Sequence, residues 1–306
     1  MNKTAAIVFS LWAFISGCAT ISVKQAQTIS AETETITSGY TGPKKKVAVI
    51  DFENKTRYGA RRLGTSASDI LVTELGKTGK FILVEREKIG KIVEEQRLGL
   101  TGILDSNTAI EIGNLLGVNA IVTGSISQFG VKTTASDFVI TASKQQVAEA
   151  VVDIRVIDVE TGEIIYTDSG KGIAKKKAGS FLGMGTTAGY DETLEGESLR
   201  AAIVKFVTNI VVQINKKPWS CKIAEVDSTN IYLDAGQDSG LRLSTELSVY
   251  HLGKKIISPT TGMVIGQTEE DIATIKVKRY FGNNGSIAEL ITGELPSRGS
   301  ICRLLK

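Results

Sequence analysis

Histidine is almost missing from this chain of 306 residues, which has only His251, and cysteine is nearly as scarce, with three. Zinc sites and Cys–His nucleophile pairs draw on those side chains, so the sequence holds little material for metal or thiol chemistry. His251 has no second His or Cys near it and reads as a surface or packing residue. Charge of one sign is lacking too. The net charge is only +3, and no basic face interleaved with aromatics points to nucleic acid. The leading apolar stretch, residues 7–15, falls short of the roughly 18 residues that a bilayer-crossing helix requires.

What is present begins at that stretch. Lys3 gives a positive start, and the apolar run ends in Ile15-Ser16-Gly17-Cys18-Ala19, the pattern of a bacterial lipoprotein signal. On this reading residues 1–17 are removed and Cys18 becomes the lipidated first residue. Ala19 stands where an Asp would retain such a lipoprotein at the inner membrane, so the expected destination is the outer membrane. The alternative is an ordinary secretory signal with an incidental Cys18. Either way the chain works outside the cytoplasm. Residues 18–46 comprise the lipidated Cys and a Thr-, Ser-, Gln- and Glu-rich tether, able to span on the order of 90 Å when extended.

A folded body is expected over residues 47–217. Residues 47–52 read as a buried strand, and Leu63, Ala67, Ile70, Leu71 and Leu75 as one helical face capped at Gly76. A second strand at 81–84, a helix at 87–98, another at 107–116 ending at Gly117, and a strand at 120–123 continue the alternation of an α/β layer. Strands at 151–159 and 164–166 flank the turn Glu160-Thr161-Gly162. Two long polar excursions, 128–150 and 168–195, lie on either side of that hairpin. A strongly periodic helix starts at about Glu197 and closes at Lys216-Lys217-Pro218. Beyond it, residues 218–306 carry short strands and turn signals that favour a small all-β barrel. Cys221 opens its first strand and Cys302 sits in its last. They form either a disulfide or two buried thiols.

Residues 47–52, 64–75, 80–86, 117–126 and 156–164, taken in that order behind the lipid signal, resemble the CsgG family of curli production and transport lipoproteins. Residues 218–306, with turns at 234–241 and 259–262, resemble the C-terminal barrel of the flagellar protein FlgT, a module outside the curli transporter. The resemblance implies a ring-shaped homo-oligomer with an α/β vestibule and two extended hairpins per subunit joined into a transmembrane barrel. The two excursions stand where those hairpins belong. Lys175-Lys176-Lys177, Lys144 and Glu149 burden them, since a lipid-facing lysine at mid-bilayer costs about 2 to 4 kcal/mol. The resemblance also implies a pore constriction on the loop after the first strand, where Asn54 and Tyr58 are the candidates.

Other motifs fail on context. Gly183-Met184-Gly185 lacks the βαβ setting of a dinucleotide site, Gly76-Lys77-Thr78 lacks the upstream glycine of a phosphate loop, and Glu85-Arg86-Glu87 reads as a solvated helix start. The expectation is therefore a non-enzymatic, cofactor-free outer-membrane lipoprotein that forms or supports a protein-export conduit. The alternative is a non-pore periplasmic scaffold for a flagellar or envelope assembly.

Overall fold

The computed structural model describes residues 42–84, 106–137, 141–181, 193–227, 230–260 and 264–305. The leader, Cys18, most of the tether and the helix expected at 87–98 lie outside them. Chain order is β1 (Lys45–Val49), β2 (Glu53–Asn54), α1 (Ala60–Lys77), β3 (Phe81–Val84), α2 (Ser106–Leu116), β4 (Ala120–Asp137), β5 (Thr141–Asp158), β6 (Ile164–Phe181) and α3 (Thr193–Lys216). Six further strands follow: β7 (Ser220–Val226), β8 (Ile231–Leu233), β9 (Glu246–Ile257), β10 (Val264–Phe281), β11 (Gly285–Gly293) and β12 (Ile301–Leu304).

The first sheet has the order β3-β1-β4-β5-β6, with β2 alongside β4. β1 pairs parallel with β3 and β4, whereas β4, β5 and β6 form an antiparallel meander. From Val47 onward β1 is apolar on both faces because both are covered. Val47 and Val49 join the core under α1 and α3, while Ala48 and Ile50 pack with Ala109 and Ile112 of α2 on the opposite side. Phe206 of α3, fully buried, is one of the largest side chains of the main core. Truncating such a residue to Ala costs about 3 to 5 kcal/mol.

Two helix boundaries differ from the sequence reading, for local reasons. α1 continues through Gly76 to Lys77, and the left-handed step falls on Gly79, at φ +63°, after Thr78 N–H has closed on the Leu75 carbonyl. α3 begins a turn earlier than Glu197, because Leu194 is buried against Ala148 and Ala174 and so ties the first turn to the sheet.

The remaining six strands close into an antiparallel barrel, β10-β11-β8-β7-β12-β9, around Trp219, Ile223, Leu233, Leu247, Val249, Ile275 and Val277. An α/β layer followed by a small all-β barrel is what the sequence predicts. β9 and β10 outrun the barrel: beyond Tyr250 and Asp271 they pair only with each other.

Candidate functional site: a three-stranded arm under α3

β4, β5 and β6 are each 18 residues long, far longer than the base of the sheet requires. Excursion 128–150 forms the distal halves of β4 and β5. Excursion 168–195 continues β6 on the same sheet, and residues 182–192, before α3, are outside the described set. A register shift between Ile126 and Gln128 marks where the arm leaves the base.

Strand alternation gives the arm two unlike faces. One carries Phe129, Val131, Ala148, Ala150, Gly170, Gly172 and Ala174 and lies beneath α3. The glycines make that contact possible. A Cβ on Gly170 would overlap the Ala202 carbonyl, and one on Gly172 the Ser198 carbonyl, so the helix backbone sits directly on the strand. Arg62 of α1 steadies the start of α3 by pairing with the buried Glu195 at 2.7 Å.

The other face is wet and cationic. Its rows read Gln128–Val151–Lys171, Gly130–Glu149–Ile173, Lys132–Val147–Lys175 and Thr134–Gln145–Lys177. Lys132, Lys171, Lys175 and Lys177 are all exposed, and Lys171 pairs with Glu149. Nearer the base and on the opposite, α3-covered face, Tyr166 packs against the main core and donates to Asp168, and burial together with that bond pushes the phenol up to about 12.

Asn54 and Tyr58 lie close together on the loop before α1. Asn54 Nδ2 donates to the carbonyls of Tyr58 and Ala60, each at 2.5 Å, and its Oδ1 accepts from Thr56 N at 3.0 Å and Thr56 Oγ1 at 2.7 Å. Its amide is thus spent on shaping the loop. The Tyr58 ring is half-buried and packs on Phe129 of the arm, centroids 4.8 Å apart. The predicted pair is brought together, with Tyr58 turned onto its own sheet. Cys221 and Cys302 are also brought together, as direct ladder partners in β7 and β12. Both are buried free thiols, and the Cys302 contact plus burial pushes the Cys221 thiol well up. Cys18 lies outside the described residues.

Lys45, at the entry to the fold, escaped the sequence reading. It is 2% exposed, and its amine donates to the Ile214 and Lys217 carbonyls at 2.5 and 2.6 Å, capping the C-terminal end of α3. Burial lowers its pKa to about 8. Lys217 in turn reaches Asp158 at 2.8 Å. A cavity of about 330 Å³ lies between this corner and the barrel, bridged by Lys46 to the Asp234 carbonyl and Lys222 to Asn114. Among the described residues no helix is long and apolar enough to cross a membrane, a statement that leaves strands aside.

A family profile described as "Curli production assembly/transport component CsgG" matches residues 28–238, well over half of the chain and the whole of the arm. The chain belongs to the CsgG family. This CsgG-family chain is 29% identical over 230 residues to a Neisseria meningitidis serogroup B protein provisionally named lipoprotein NMB1126/NMB1164, covering 71% of this chain and 96% of that one. Remote structural likenesses include the PelC dodecamer of Paraburkholderia phytofirmans, with 15% identity, TM-score 0.34, and 56% and 89% of the two chains covered. The Escherichia coli LpoB C-terminal domain gives 18% identity and TM-score 0.31 over 46% and 92%. Lipoprotein GNA1162 of Neisseria meningitidis gives 11% and 0.35 over 56% and 99%.

Proposed function

We propose that this CsgG-family chain is a non-enzymatic lipoprotein, anchored through Cys18 in the outer membrane, that assembles with its own copies as a periplasmic scaffold whose arm stays on its own helix. The lipid signal at residues 15–19 and the lipoprotein name of the Neisseria relative support the anchor. Family membership supports self-assembly and a role in moving or building envelope protein structures. Exported protein, or a flagellar or envelope machine reached through the barrel, supplies the partner.

The observation that carries the non-pore reading is where the arm keeps its apolar side chains. A bilayer-crossing strand needs about 9 to 11 residues with an apolar face turned to lipid. In this arm the apolar face is occupied by α3 as far as Val131, Ala148 and Ala174, and the next row on that face is Thr133, Gln146 and Lys176. An export conduit is the second reading, favoured by the same alternation: with α3 lifted away, small apolar side chains would face outward and polar ones inward.

Detergent-extracted protein in planar bilayers, together with carbonate washing of membranes carrying Cys18→Ala, separates the two. The scaffold gives no conductance and a carbonate-extractable Cys18→Ala chain. Conducting, heat-resistant rings and a Cys18→Ala chain that stays in washed membranes would replace it with the conduit.

A further inference from the structure

The cationic face of the arm carries three exposed lysines, Lys132, Lys175 and Lys177. Lys132 and Lys175 flank Val147 in a single row, and two strand spacings put them about 10 Å apart, with Lys177 about 7 Å further along β6. Lys171 joins them two rows nearer the base and already has Glu149. None of Lys132, Lys175 and Lys177 has an acidic partner among the described residues. Like charges at this spacing repel one another, and the repulsion is relieved when an anionic layer faces them.

The shape of the face selects the kind of layer. Between the lysines stand Val147, Gln145 and Thr134, half-buried or exposed side chains on the surface of the sheet. α2 covers only the base of this side, through Ile121, Ile157 and Val159. Open rows of cations suit a two-dimensional array of negative groups. A lipid on Cys18 keeps such an array within reach, because the segment from Cys18 to residue 42 extends at most about 85 Å.

We infer that the Lys132–Lys175–Lys177 face of the arm docks on anionic phospholipid headgroups, holding the body against the membrane that bears its anchor without entering it. The docking rests on the proposed reading that the arm does not insert. Clusters of this kind bind anionic bilayers electrostatically, with each lysine contributing roughly fivefold to partition at low salt, and salt screens the attraction.

The test uses the mature chain with Cys18→Ala, so that no lipid contributes, and phosphatidylcholine vesicles with and without phosphatidylglycerol at low and high salt. Expected are co-sedimentation with the anionic vesicles only, release at high salt, and weakening on the order of 100-fold in Lys132→Ala/Lys175→Ala/Lys177→Ala. The triple Lys205→Ala/Lys216→Ala/Lys254→Ala changes net charge equally at exposed sites off this face and retains binding. Circular dichroism confirms that both triples fold. No binding to anionic vesicles, equal binding to neutral ones, or equal loss in the two triples overturns the docking while leaving the scaffold standing. Binding that survives high salt and carbonate and conducts ions overturns both.

Discussion

Gly172 of β6 lies against the backbone of Ser198 in α3 so closely that a Cβ there would overlap the Ser198 carbonyl. Gly170, one row nearer the base, meets Ala202 in the same way. The helix therefore rests on a track that only glycine fits. Gly172→Val is expected to destabilise the protein by about 1 to 3 kcal/mol or more, since the clash is with backbone and cannot be relieved by a rotamer change. Gly130→Ala, where nothing lies within 4 Å of the added Cβ, is the matched control and should be close to neutral. Urea midpoints of the two variants check the difference.

That track explains what could and could not be seen in the sequence. The base was legible because residues 47–50 and the start of β4 are continuous apolar runs, and the barrel because its turns are rich in Gly, Asn and Asp. The arm was not. Its covered face is built from Ala148, Ala150, Gly170, Gly172 and Ala174, which are too small to raise hydrophobicity, and its other face is polar, so β4 to β6 read as weakly structured excursions. Sequence shows Cys221 and Cys302 only as lying in the first and last strands of the barrel, and the ladder puts them directly opposite each other. Lys45 was invisible because it sits in the run Lys44-Lys45-Lys46, which reads as the end of a tether. Only the three-dimensional fold brings the end of α3 to it.

Asn54 holds its loop with both ends of one amide, and the two ends are not equivalent. Asn54→Asp keeps the acceptor for Thr56 but turns a carboxylate oxygen toward the Tyr58 and Ala60 carbonyls. The Tyr58 carbonyl is only part-buried and the Ala60 carbonyl is exposed, so losing the donor costs about 1 kcal/mol, and the carboxylate facing two carbonyl oxygens adds repulsion to that. Asn54→Asp should therefore be more destabilising than Asn54→Ala in thermal melts. Ala60, held at φ +45° beside this amide, offers the opposite outcome: Ala60→Gly is expected to be neutral or stabilising by up to about 1 kcal/mol.

Lys45 makes stability depend on alkaline pH with a definite sign. Burial, offset in part by Asp158 and reinforced by Lys217, lowers its folded pKa to about 8 from 10.5 in the unfolded chain. Below pH 8 both states hold the proton, and the cost of burying the charge is fully present. Between about 8 and 10.5 the folded state has released a proton that the unfolded state still binds, so stability rises with pH, by up to about 1.4 kcal/mol per pH unit. Lys45→Met removes this rise. The difference between wild type and variant in urea unfolding, followed from pH 7 to 10.5, isolates the contribution from every other titrating group.

Cys221 and Cys302 face each other across β7 and β12, and ladder partners have Cα atoms about 4.5 to 5.5 Å apart, inside the range a disulfide spans. In an oxidising compartment the two thiols are expected to pass two electrons and two protons to a disulfide donor and cross-link β7 to β12. Protein prepared from that compartment and alkylated under denaturing conditions should then carry no label on either residue and weigh two hydrogens less than its reduced form. The bond contributes about 4 kcal/mol in the chain-entropy model, seen as a lower denaturation midpoint after reduction. Reduced, folded protein should resist alkylation at Cys221, because the Cys302 contact and burial keep that thiol protonated and out of reach. Two labelled cysteines in the oxidised sample would show instead that the barrel holds them as packing residues, closed by its strand ladder alone.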